Sequence, residues 1–140
     1  GVAYYECLAQ LATDQCLKDT YNDLANMERH HVEVFQALRA DAGLETLEPQ
    51  ADEAEYGRYL KALIDSSVFT NDSVAREMAK RASSPAEALQ LALGAEKDSI
   101  LFYTEMRDLV PQRERDAVTR IISEERAHVR ELSELKQRYA

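Results

Sequence analysis

The sequence predicts an all-α protein: a four-helix bundle with a helical crossover connection between its second and third helices. Three observations carry this expectation. Only 3 prolines and 4 glycines occur in 140 residues, and the abundant Ala, Leu, Glu, Lys and Arg are good helix formers. Apolar residues recur at steps of three and four over long stretches, the spacing that lines up one face of a helix. The two ends of the chain also repeat one another. Tyr5, Leu8 and Ala12 correspond to Tyr103, Met106 and Val110 at an offset of 98, while Glu28, His31, Phe35 and Leu38 correspond to Glu125, His128, Leu132 and Leu135 at 97. A one-residue slip in the connecting turn accounts for the change. Two helix hairpins of one design, 1–42 and 84–140, thus flank a crossover at 43–83 within a single domain, 1–140.

Each element follows from local pattern. Tyr5, Leu8, Ala9 and Ala12 keep helical spacing across 4–12, and Thr13 and Asp14 offer a cap or turn. The second helix is expected from about residue 15 to Ala40, with Leu24, Glu28, His31, Phe35 and Leu38 on its stripe and Gly43 ending it. Residues 43–52 are acidic and turn-like, which predicts a surface loop. A helix at 54–64 carries Tyr56, Tyr59, Leu60, Leu63 and Ile64, and a short helix at 72–81 starts after Asn71. Ser84 at the N-cap, Pro85 in the first turn and Glu87 three residues on mark the third long helix, expected to reach about Val110. Its stripe is Leu89, Ala92, Leu93, Glu96, Ile100, Tyr103 and Met106. Pro111 is expected to open the fourth, with Val118, Ile121, Ile122, Glu125, His128, Leu132 and Leu135 along one side.

Composition narrows the function. The formal net charge of −9 argues against nucleic acid or an anionic membrane as partner. No apolar run of about 18 residues suggests a membrane span. Two cysteines, Cys7 and Cys16, are too few for a disulfide framework and form no Cys-x-x-Cys pair. With no charged-then-apolar leader in view, a reduced cytoplasmic setting is the expectation.

The chemistry sits on the apolar stripes. Glu28 with His31, and Glu125 with His128, are two Glu-x-x-His pairs. A spacing of three stacks the two side chains on one helix face, where a carboxylate and an imidazole can reach a common metal ion. Glu96 falls mid-stripe on a third helix. Carboxylates on an apolar seam are costly unless paired or metal-bound. Two Glu-x-x-His helices, with a Glu from each of two others, form the ligand set of a two-metal carboxylate bundle. Iron or manganese suits such oxygen and nitrogen donors, with zinc as a further substitute. Carrying Glu96 back by 98 places its counterpart three residues ahead of Gly1, so the start of the first helix is expected to lie outside this sequence. His30 points about 100° away from His31 along the helix and is expected in solvent. Tyr5 and Tyr103, two turns from the carboxylates, either pack in the core or hydrogen-bond a ligating Glu.

These residues resemble the rubrerythrin family of the ferritin-like superfamily, in its short form with only the di-iron bundle. The likeness spans nearly the whole chain and is carried by 1–9 (GVAYYECLA), 24–31 (LANMERHH), 96–103 (EKDSILFY) and 122–128 (ISEERAH). It implies a ferritin-like fold with two iron ions held by Glu28, His31, Glu96, Glu125 and His128, and a further Glu three residues before Gly1. It also implies reduction of hydrogen peroxide or O2. The two Cys-x-x-Cys pairs of a rubredoxin domain are missing from these 140 residues, so an external electron donor such as a rubredoxin-like protein is expected. Ser99 stands where some relatives place an extra Glu. A homodimer is expected by the same likeness. Iron binding with ferroxidase buffering, and a metal-free helical scaffold, remain as other readings.

Overall fold

The computed structural model describes residues 1–42 and 51–140. Its α-helices are α1 (Val2–Leu11), α2 (Gln15–Ala42), α3 (Ala51–Asp65), α4 (Asp72–Arg81), α5 (Pro85–Leu109) and α6 (Arg115–Tyr139). The described residues are helical apart from turns and short connections, and the helices form a bundle.

The starts of the helices follow local chemistry. Asp14 accepts a hydrogen bond from the Leu17 N–H at 3.0 Å, and Asn71 accepts from the Val74 N–H at 3.0 Å. Ser84 accepts from the Glu87 N–H at 3.2 Å, with Pro85 in the first turn. Each satisfies a donor that the first turn leaves without a helical partner.

Three boundaries differ from expectation. The fourth long helix does not open at Pro111. Pro111 is extended at its carbonyl end, with ψ of 149°, and its carbonyl accepts from the Glu114 N–H at 2.8 Å, closing a 3₁₀ turn over Gln112–Glu114 before α6 starts. Helix α3 begins at Ala51, so 51–52 are helical where a loop was expected; no Gly or Pro interrupts 51–54, and extending a helix costs little once it is nucleated. The rest of the predicted loop, and the helix-ending role of Gly43, lie outside the described residues. Helix α2 runs on to Ala42.

The order of burial along the long helices gives their directions. One large apolar cluster includes Tyr5 and Leu8 of α1, Tyr21 and Leu24 of α2, Leu89 and Leu93 of α5, and Leu132 and Leu135 of α6. A smaller one joins Leu38, Val110, Val118 and Ile122, with Ile100 and Tyr103 against it. Helices α2 and α5 therefore both run from the large cluster to the small one, and α6 runs the opposite way. Between the two clusters each of these helices contributes its buried polar residues.

Helix α4 packs on α1, and α3 lies lightly on α5. The expected apolar side of α3 is largely outside the core, with Tyr59 45% and Ile64 50% exposed. Polar contacts hold it instead: the hydroxyls of Tyr56 and Tyr59 donate to Glu105 of α5 at 2.6 and 3.3 Å. No helix among the described residues is long and apolar enough to cross a membrane.

Candidate metal centre

Between the two apolar clusters lies a group of five buried ionisable side chains. Glu125 is 0% exposed, Glu96, His31 and His128 are each 1%, and Glu28 is 8%. The helices place them as the stripes require. Glu28 and His31 come from α2, Glu96 from α5, and Glu125 and His128 from α6. Such a concentration of carboxylates out of water is unfavourable unless each finds a partner.

Glu125 is the hub. Its Oε1 stands 3.0 Å from His31 Nδ1, and its Oε2 stands 3.0 Å from His128 Nδ1. His128 Nδ1 also lies 3.4 Å from Glu96 Oε2. The other oxygen of Glu96, Oε1, accepts the hydroxyl of Tyr5. Glu28, Glu96, Glu125 and His128 each bring one ligand atom within 4.8 Å of all the others. His31 stands just outside that group of four and joins it through Glu125.

The electrostatics follow from this crowding. Burial pushes Glu96 up to about 8; the His128 hydrogen bond opposes the rise, and the Glu125 and Glu28 carboxylates reinforce it. Burial, then the charge of Glu125, likewise raises Glu28. Burial would raise Glu125 as well, yet the hydrogen bond from His128 and the nearby charge of His31 outweigh it and hold this carboxyl well below the usual range. Burial works to lower both histidines, but their carboxylate neighbours prevail and lift His31 to about 8 and His128 to about 10. Tyr5 is pushed far up by burial and by Glu96, so it remains a donor.

The donor set fits a divalent cation. Three carboxylates meet two imidazoles, so even with both rings protonated the full charge is not offset. Within this cluster three buried atoms have no hydrogen-bond partner: His31 Nδ1, Glu125 Oε1 and His128 Nε2. The first two face one another at 3.0 Å yet are out of line for a hydrogen bond. Adjacent ligands of one ion stand in this relation, since metal–ligand distances near about 2.1 Å put neighbouring donors about 3 Å apart. The buried Glu/His cluster can thus hold a metal ion.

Comparison with family models, curated proteins and solved structures gives no match to this chain. The reading of the site stands on its geometry.

Of the five residues expected at the site, Glu28, Glu96, Glu125 and His128 lie within one group, and His31 stands beside it at Glu125. His30 points away, with its side chain 66% exposed beside Glu33. Tyr5 takes the hydrogen-bonding role. Tyr103 packs edge-on against His31, with ring centroids 6.3 Å apart, and its hydroxyl has no hydrogen-bond partner among the described residues. Cys7 is buried and Cys16 exposed, both as free thiols.

Two features escaped sequence reasoning. Glu124 reaches His31, its Oε2 standing 2.8 Å from Nε2. A Glu beside Glu125 on an acidic helix reads as part of the solvated face, and the repeat offers no hint because Met27 holds the equivalent place. The second is the close fit at Gly1, where a Cβ would lie 2.5 Å from the Glu28 carboxyl carbon. There a cavity of about 170 Å³ opens onto Glu28 and Glu96, walled in part by Phe69, Phe102 and Tyr103.

Proposed function

We propose that the protein is a non-haem di-iron oxidoreductase of rubrerythrin type, reducing hydrogen peroxide or O2 with electrons from an external donor such as a rubredoxin-like protein. The observation that carries this reading is the placement of Glu125, fully buried, with one oxygen 3.0 Å from each of two histidines. Glu28, His31, Glu96, Glu125 and His128 would hold the ions, with Glu96 and Glu125 as candidate bridging or chelating carboxylates and one imidazole for each ion. When bound, a ferrous pair supplies the two electrons that reductive cleavage of an O–O bond consumes.

The chain's own residues prepare the place for that chemistry. Tyr5 donates to one oxygen of Glu96 and leaves the other turned towards His128, so the carboxylate is oriented before any ligand arrives. The apolar clusters on either side keep bulk water out and strengthen each charge interaction within. The cavity beside Glu28 and Glu96 is roomy enough for a peroxide and several waters.

This reading takes the fold as ferritin-like, with α3 and α4 in the crossover that two parallel helices need. The common direction of α2 and α5 supports it. Iron as the native metal, with manganese or zinc as substitutes, a homodimer and a cytoplasmic setting belong to the same proposal. Iron binding with ferroxidase buffering is the second reading, favoured by Ser99, which lines the cavity without offering a carboxylate.

Anaerobic loading with ferrous iron, followed by peroxide or air, separates the two in near-ultraviolet absorbance. Fast oxidation by peroxide and repeated turnover with an added donor support the oxidoreductase. Slow oxidation by O2 without turnover supports buffering. A chain that retains no iron rules out both.

A further inference from the structure

Glu124 and Met27 hold equivalent stations in the two halves of the repeat, each one residue before a ligand-type Glu. Their chemistry differs. Glu124 reaches from α6 to α2 and places Oε2 2.8 Å from His31 Nε2. A thioether offers only a weak acceptor, and the buried Nε2 of His128 has no hydrogen-bond partner. The two imidazoles flanking Glu125 are thus anchored differently.

We infer that Glu124 is a positioning residue for His31, holding the ring with its proton on Nε2 and its Nδ1 lone pair towards Glu125, so that the two metal positions are unequal. One position depends on Glu124 through His31; the other, served by His128, does not. This rests on the metal-binding reading above. An imidazole coordinates only through a nitrogen that carries a lone pair. A carboxylate accepting the opposite N–H selects that tautomer, restricts ring rotation and raises the basicity of the ligating nitrogen. On the other side, the orientation of His128 is left to packing and to the carboxylates of Glu125 and Glu96, both of which face its Nδ1.

The test uses the full chain as wild type, Glu124→Ala and Glu124→Gln, titrated anaerobically with Mn(II) or Co(II). Two binding steps are expected for the wild type. Glu124→Ala should weaken one of them by about 10–100-fold and leave the other within about twofold. Glu124→Gln keeps an oxygen that accepts the N–H and should fall between the two. Nitrogen-15 spectra of the histidine rings in metal-free protein, at about pH 9.5 where the His31 ring is neutral and its tautomer can be read, give the second measurement. His31 should be held as the Nε2–H form in the wild type and lose that preference in Glu124→Ala, while His128 stays unchanged. Equal weakening of both steps, or no weakening of either, overturns the inference, as does an unaltered His31 tautomer. If the wild type takes up no metal, the metal reading fails, and the tautomer alone decides the role of Glu124.

Discussion

The imidazole rings of His31 and His128 lie 5.8 Å apart, centroid to centroid, and 27° from parallel. Two buried, partly stacked imidazoles with a carboxylate between them carry positive charge poorly unless that carboxylate is ionised. Glu125 therefore holds the halves of the site together. Glu125→Ala should abolish nearly all iron retention, measured as metal per chain after desalting, whereas His30→Ala should leave it unchanged. Equal losses in the two variants would contradict the assignment of faces on α2.

Stability of the metal-free protein should fall as pH rises. His128, lifted from 6.5 to about 10 by Glu125 and Glu96 against the effect of burial, keeps its proton in the folded state where the unfolded chain has lost it. Its contribution is complete below about pH 6.5 and disappears by about pH 10. His31 acts in the same sense between 6.5 and about 8, and Glu96 between 4.5 and about 8. Glu125, held low, opposes them only under acid conditions, losing its contribution as pH falls below 4.5. Thermal unfolding in chelator should give a lower Tm at pH 9 than at pH 6.5. Metal uptake displaces these protons, so its affinity should rise across the same window. A Tm that is flat or rising over this range would refute the charge assignment.

Tyr5→Phe removes the donor to Glu96 Oε1 while keeping the ring that packs on Tyr4 and Tyr21. Leaving a buried carboxyl oxygen without its donor should cost about 1–3 kcal/mol of stability in denaturant unfolding. Tyr103→Phe, with no such partner among the described residues, should cost less than about 0.5 kcal/mol. Similar costs for both would show that the Tyr5 hydroxyl contributes little.

Leu132 is fully buried, one helical turn beyond His128, within the large apolar cluster. Leu132→Ala should destabilise the fold by about 2–5 kcal/mol through lost burial and the cavity left behind. Metal per folded chain should stay the same, because the ligands stand on three helices and Leu132 touches the site only through packing. Loss of metal at full folding would place Leu132 in the site itself.

Much of the buried Glu/His cluster was legible in the chain. A polar residue on an apolar stripe is conspicuous, and the repeat tied Glu28 and His31 to Glu125 and His128. Glu96 stood out for the same reason. The long helices were readable from period and caps, whereas Pro111 misled because a proline suits a helix start and a preceding turn equally well. The merely partial burial of the apolar face of α3 was not foreseeable from its pattern, since it depends on what α5 presents to it: Glu105 receives two tyrosine hydroxyls.

The sequence by itself determined which residues share a helix face, because a period of 3.6 residues is a local property of the backbone. It therefore determined that five ionisable side chains would be buried. Tertiary structure decided what they meet. Whether Tyr5 packs or donates, whether Glu124 belongs to solvent or to His31, and that Glu125 lies between two rings are all contacts between helices. Those contacts depend on crossing angles and separations of a few ångströms that no spacing along one chain records.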